Sequence, residues 1–268
     1  MRPLPLKSLL ATILFFLASA CSTPHFDVIP RYGTFEPDGE VALAGTAGTI
    51  GINSTNSVEA LGFVEDDGVP GIRGDLDWGT THLTLAWQAS EHGGRGTLEA
   101  EISDDDVVLG AGTDIDSKFD LGLGEALLTF DLIPGDTFEL GIGLGATVID
   151  LDVSVRDVLT GETVQPDQET FLAPLFAVRA GVQFWRVDVQ ALLGGMDITY
   201  DGDSASLYDL DAFARLALFG GANGGHGALV VGYRYVDLDV DYDDEDESEA
   251  VDAEVSLDGP YVALSFGM

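Results

Sequence analysis

The chain has a single cysteine in 268 residues, so no disulfide can form within it. Eleven lysines and arginines face 47 aspartates and glutamates, a formal net charge of −36. A chain so acidic is repelled by nucleic acid and by anionic surfaces, and both drop out as partners. Beyond the N-terminus no apolar run approaches the ~18–20 residues that a transmembrane helix needs. The four histidines stand at 25, 82, 92 and 226, and no catalytic motif or cofactor fingerprint accompanies them. The densest acidic stretch, residues 237–249, lacks the glycine that an EF-hand needs at its sixth position. Its candidates for weak divalent binding are Asp239, Asp241 and Asp243, and a solvated loop accounts for them more simply.

What the chain has in abundance is alternation. In Thr137–Val148 the even positions are Phe138, Leu140, Ile142, Leu144, Ala146 and Val148, and the odd ones are Glu139, three glycines and Thr147. That is period two, with one apolar face and one polar or bare face. Similar segments recur as Val41–Ile52 (weak), Gly71–Trp78, Thr81–Gln88, Asp116–Leu132, Thr137–Val155, Thr170–Trp185, Val187–Tyr200, Leu207–Phe219, Gly227–Tyr242 and Val251–Met268. The turns between them go short, long, short, long; one short turn is Ile133-Pro134-Gly135-Asp136, with proline and glycine in favoured places. The pattern predicts an all-β, antiparallel up-and-down transmembrane barrel over residues 41–268, with ten strands. Eight remain if Val41–Ile52 or Gly71–Trp78 is not in the wall. An even count puts both termini and the short turns in the periplasm, with the long loops outside.

The scarce bases indicate which face is inside. Arg73, Lys118, Arg156, Arg179, Arg215 and Arg234 all fall opposite apolar residues, and Asp120, Glu139, Asp188, Asp209 and Asp211 share that polar side. A charge facing lipid at the midplane costs ~2–4 kcal/mol, so this face is expected to line the lumen as an Arg–carboxylate network. The bare positions Gly141, Gly143 and Gly145 would leave room for it. A soluble barrel would show the same alternation with the apolar face inside. Against that stand strands longer than the ~5–6 residues usual in soluble sheets, the asymmetry of the turns, and aromatics near strand ends (Trp78, Phe130, Trp185, Tyr200, Tyr208, Tyr233, Tyr235). Two segments change phase midway: Leu140, Ile142 and Leu144 are even while Leu151, Val153 and Val155 are odd, and Phe119 and Leu121 are odd while Leu128 and Phe130 are even. These read as β-bulges. The alternative is that the outer ends project beyond the membrane.

Arg2 and Lys7, then Leu9–Leu17, then Ala18-Ser19-Ala20-Cys21 form a targeting segment covering residues 1–20, followed by a Pro/Gly-rich tether over 21–40. The ending resembles a bacterial lipoprotein signal, which implies acylation at Cys21, although the leucine stands four places before the cysteine instead of three. Cleavage after Ala18-Ser19-Ala20 by ordinary signal peptidase satisfies the small-x-small rule equally well. Either route exports the chain. The last two segments, with Gly232-Tyr233-Arg234-Tyr235 and Leu257 to Phe266, resemble the end of small Gram-negative outer-membrane β-barrel proteins. The resemblance implies the cell outer membrane, contact with its lipid and recognition by the barrel-assembly machinery; here Met268 stands in place of the usual terminal aromatic. It carries no catalytic residue across. Three functions stay open: a structural or surface-interaction barrel with a filled bore, a narrow channel lined by Arg73, Arg179, Arg215 and Arg234, and an outer-rim hydrolase using His82 or His92. His82 rises from a periplasmic turn, the wrong end for a rim site.

Overall fold

The computed structural model describes residues 24–44, 56–62, 68–103, 107–135, 137–165, 169–200, 203–220, 225–244 and 249–268. They are strands and turns throughout: β1 (His25–Gly33), β2 (Glu36–Ala44), β3 (Asn56–Ser57), β4 (Val69–Trp78), β5 (Thr81–Thr97), β6 (Ile102–Ser103), β7 (Val108–Leu109), β8 (Asp114–Ile133), β9 (Phe138–Asp157), β10 (Thr163–Val164), β11 (Glu169–Phe184), β12 (Val187–Tyr200), β13 (Asp203–Gly220), β14 (His226–Asp244) and β15 (Glu249–Gly267). Ten of these make the wall, each antiparallel to the next in the order β1, β4, β5, β8, β9, β11, β12, β13, β14, β15. The last strand pairs back onto the first, from Asp27↔Gly267 to Gly33↔Tyr261, and Phe26 and Met268 exchange two backbone bonds of 3.1 Å. Closure leaves the wall without the open edge that a flat sheet would offer for aggregation. The chain is therefore a closed ten-stranded antiparallel barrel, and the eight-stranded alternative falls.

Two expectations are corrected at the N-terminal end. The first wall strand is β1, inside the stretch read as a tether, and not Val41–Ile52. Pro30 and Gly33 disguise it, since proline within a run normally argues against a strand. Yet Asp27, Ile29, Arg31 and Gly33 face inward and Phe26, Pro30 and Tyr32 outward. After a break at Thr34-Phe35 the chain resumes as β2, which pairs with the upper half of β15 from Glu36↔Asp258 to Ala44↔Ala250. Residues 45–52 of the expected strand, like the targeting segment and Cys21, lie outside the described residues.

The phase changes are not bulges. The β8–β9 register runs unbroken from Ile115↔Asp157 to Asp131↔Gly141, and its irregularity falls between Asp131 and Ile133, at the periplasmic end. Parity never changes: odd residues of β9 point inward along its length. What changes is the chemistry. From Phe138 to Val148 the outward residues are apolar, and beyond that they are Asp150, Asp152, Ser154 and Arg156. Inward, Glu139 and the glycines give way to Ile149, Leu151, Val153 and Val155. At ~3.3 Å per residue and a ~40° tilt, Phe138–Val148 spans about 25 Å, the height of an outer-membrane apolar band. The rest of β9 therefore stands about 20 Å clear of it. Outward aromatics mark both edges: Phe130, Phe138, Phe184, Trp185, Phe219 and Phe266 near the short turns, and Tyr32, Trp87, Phe171, Tyr208 and Tyr233 at the other edge. Much of the sequence expected to form long outer loops is strand, since β5 runs to Thr97 and β12 and β13 are only two residues apart.

Candidate functional site

The bore is filled in two layers. In the membrane half, inward positions carry charge. Arg179, on β11, donates to Asp131 Oδ1 of β8 at 2.8 Å and to Glu139 Oε1 of β9 at 2.9 Å. His82 joins the same group near the periplasmic turns, with Nδ1 at 2.5 Å from Asp77 and Nε2 at 2.9 Å from Asp131. A second group surrounds Asp75 and Asp211. Arg73 donates to Asp75 at 2.9 Å and to Asp211 at 3.1 Å, Arg31 reaches Asp211 at 3.2 Å, and Arg215 reaches Asp75 at 2.7 Å. The Tyr261 hydroxyl donates to Asp211 at 2.6 Å, and the Arg73 and Arg215 guanidiniums lie 4.8 and 5.0 Å from the Phe213 ring centroid. Asp27 closes this group against the seam, accepting from Ser265 at 2.8 Å and lying 2.9 Å from His226 Nε2. A third group centres on Arg234, only 1% exposed, which pairs with Asp209, with Glu125 at 3.4 Å and with Gln88 at 3.1 Å.

Above the charges lies an apolar layer. Phe119, Leu121, Leu123 and Leu127 of β8, Ile149 and Val155 of β9, Leu175, Leu192, Leu207, Val236 and Leu257 belong to one buried cluster. Val58 and Leu61, and Leu98, Ile102 and Leu109 around the small β6–β7 hairpin, complete it from the outer side. Gly145 shows how closely this layer packs: a Cβ there would come within 2.3 Å of a Leu127 methyl carbon. The bare glycine thus makes room for leucine, not for a long charged chain as expected.

Of the residues expected along the lumen, Arg73, Glu139, Arg179, Asp188, Asp209, Asp211, Arg215 and Arg234 face inward. The expectation is overturned for Lys118, Asp120 and Arg156. These sit on even positions of β8 and β9 in the projecting half, outward and in water. The Lys118 side chain is 56% exposed; it pairs with Asp120 and lies 3.9 Å from Glu91. Lying opposite an apolar residue means facing the lumen within the membrane and facing solvent above it, which is why the same rule failed there. Asp75 and Asp77, which fall opposite Ile72, Leu76 and Trp78 in the sequence, share the side of Arg73. Sequence reasoning left out Asp27, Arg31, Glu125 and Asp131; the last two share the parity of Phe119 and Leu121 and were hidden by the phase change. Asp239 faces outward on β14, the side chains of Asp241 and Asp243 lie outside the described residues, and among the described residues no three His, Cys, Asp or Glu side chains converge on a metal position.

In the projecting half one loop is organised by a carboxylate. Asp157 accepts from the backbone N–H of Leu159 at 2.6 Å and from the Thr160 hydroxyl at 2.9 Å. The Leu159 N–H, then the Thr160 donors, hold its carboxyl below the usual carboxylate range.

No family model matches the chain, and no curated protein does. Among solved structures it is similar to the outer membrane protease OmpT from Escherichia coli, at 10% identity over 91% of this chain and 97% of that one, with a TM-score of 0.52. It also aligns with Ail, the attachment invasion locus protein of Yersinia pestis, at 10% identity over 91% of this chain and 99% of that one (TM-score 0.31). A FadL homologue of Pseudomonas aeruginosa aligns at 10% identity over 91% and 90%, with a TM-score of 0.29. At such identity the likeness to OmpT extends to the fold alone. That fold, the closed wall and the outward apolar band make this chain an integral β-barrel of the Gram-negative outer membrane.

Proposed function

We propose that this protein is a closed, non-catalytic outer-membrane barrel, which stiffens the membrane around it and presents an acidic, water-exposed collar above the lipid. The observation that carries this is the two-layer filling, with arginine–carboxylate groups below and packed leucine, isoleucine, valine and phenylalanine above. An ion crossing the bore would have to break a buried ion pair and then enter a layer with nothing to solvate it. The four arginines of the channel reading are spent on carboxylates and offer no open selectivity ring.

The histidines argue against a rim hydrolase. His82 and His226 are at the periplasmic end, His25 begins the wall there, and His92 is 2% exposed beside the Phe119 ring. Lipid anchoring at Cys21 also fits. Cys21 stands four positions before His25, a span of at most about 14 Å, so an acyl chain would enter the inner leaflet beside the barrel. Met268, paired with Phe26 at the seam, is the position that the barrel-assembly machinery would read. Planar-bilayer recording of the purified full chain tests the main proposal. Silence at ±100 mV is expected, and a steady unit conductance abolished in Arg179→Ala and Arg215→Ala would overturn it in favour of a channel.

A further inference from the structure

Below the Arg179 group the bore opens into a cavity of about 200 Å³ at its periplasmic mouth. Its polar lining is Thr137, beside the β8–β9 turn, Glu139 on β9, Gln183 next to the β11–β12 turn, and Asp188 and Gln190 on β12. We propose that this mouth binds a primary alkylammonium group presented from the periplasm.

The chemistry of the lining carries the assignment. Two carboxylates, two side-chain amides and a hydroxyl supply acceptors, while the two nearby guanidiniums are engaged elsewhere or within the lining: Arg179 donates to Asp131 and Glu139, and Arg215, opposite Asp188 in the β12–β13 ladder, donates to Asp75. Asp188 accepts from Gln190 Nε2 at 2.8 Å, and among the described residues no lysine or arginine lies within ion-pair distance of it. An anion would meet the Glu139 and Asp188 carboxylates in the lining itself. A metal ion lacks three converging ligands among the described residues. An ammonium group has three donors and no acceptor, the complement of this surface. The volume suits the group and a short methylene stem, because a water molecule occupies about 30 Å³ of liquid.

The site is also shaped. Gly181 lies directly across from Glu139 in the β9–β11 ladder, and a Cβ at that position would fall 2.5 Å from Glu139 Oε1. A side chain there would push the carboxylate off Arg179 and out of its place in the lining. The bare position holds the acceptor where the cavity needs it.

Such an ammonium could belong to a free diamine or to a lysine side chain in a periplasmic peptide. Titration calorimetry of the folded full chain in detergent micelles separates them, with cadaverine and with Nα-acetyl-lysine amide as probes. Saturable binding of either probe is expected, weakened at least tenfold in Asp188→Asn and less in Gln183→Ala; the tighter probe names the source. Each variant must keep the unboiled gel mobility of the folded barrel. Asp116→Asn, on the outer wall far from the mouth, should bind as the parent does. Absence of saturable binding, equal binding of Nα,Nε-diacetyl-lysine amide, or the same loss in Asp116→Asn would overturn the site, the last by showing attraction to overall charge.

Discussion

Strand β9 is two strands in chemical terms. In its first half, outward Phe138, Leu140, Ile142, Leu144 and Ala146 meet lipid, and inward Glu139 meets Arg179. In its second half, outward Asp150, Asp152 and Arg156 meet water, and inward Ile149, Leu151, Val153 and Val155 pack on one another. From Gly141 to Asp157 backbone, parity and register are the same. Only the surroundings invert: lipid demands an apolar exterior and leaves polar side chains to the bore, whereas water demands the reverse. The same exchange occurs on β8, where Leu128 and Phe130 face out below and Phe119 and Leu121 face in above. One wall thus combines a membrane barrel with the lower part of a soluble one, and the change of phase marks the membrane surface.

The largest expected effect comes from removing a buried charge below that line. Arg234→Ala strands Asp209 and Glu125 and should cost about 3–5 kcal/mol in urea unfolding from lipid vesicles. Arg156→Ala, the same change on the outer wall above the line, should stay within about 0.5 kcal/mol. Next comes the apolar layer: Leu121→Ala should cost about 2–5 kcal/mol by leaving a cavity, although its outward neighbour Asp120→Ala costs almost nothing. The outer face should show the opposite sensitivity. Leu144, 61% exposed at mid-band, should lose about 2–4 kcal/mol on replacement by arginine, whereas Asp152→Arg, eight residues along the same face, should be near neutral. The smallest effect is local. Because the folded Asp157 carboxyl titrates below its unfolded value, its contribution is present at neutral pH and is lost as pH falls through the folded value. Protection of the Leu159 and Thr160 amides from exchange should fade there, with the barrel otherwise intact.

These contrasts also explain what could be read from the residues alone. The period-two pattern and the inward arginines of the membrane half were legible, because lipid enforces one rule on every strand it touches; the expected alternation of short and long turns fails between β12 and β13, which are only two residues apart. Lys118, Asp120 and Arg156 were misplaced because that rule reverses at Val148 and the alternation carries no sign of which solvent it faces. β1 was missed because Pro30 and Gly33 break the look of a strand while leaving its inward Asp27 and Arg31 in phase. The pairings themselves, such as Arg73 with Asp211 across 138 residues, depend on register around the closed wall and leave no local trace.

The central claim is best tested by nitroxide scanning of β9. With the single cysteine Cys21 replaced by serine, labels are placed one at a time from position 140 to 156, and relaxation by oxygen is compared with relaxation by a water-soluble nickel complex. The account predicts an unbroken two-residue periodicity, with oxygen dominant at 142, 144 and 148 and nickel dominant at 150, 152 and 154. A break in periodicity between 148 and 151, or oxygen dominance continuing through 154, would contradict it.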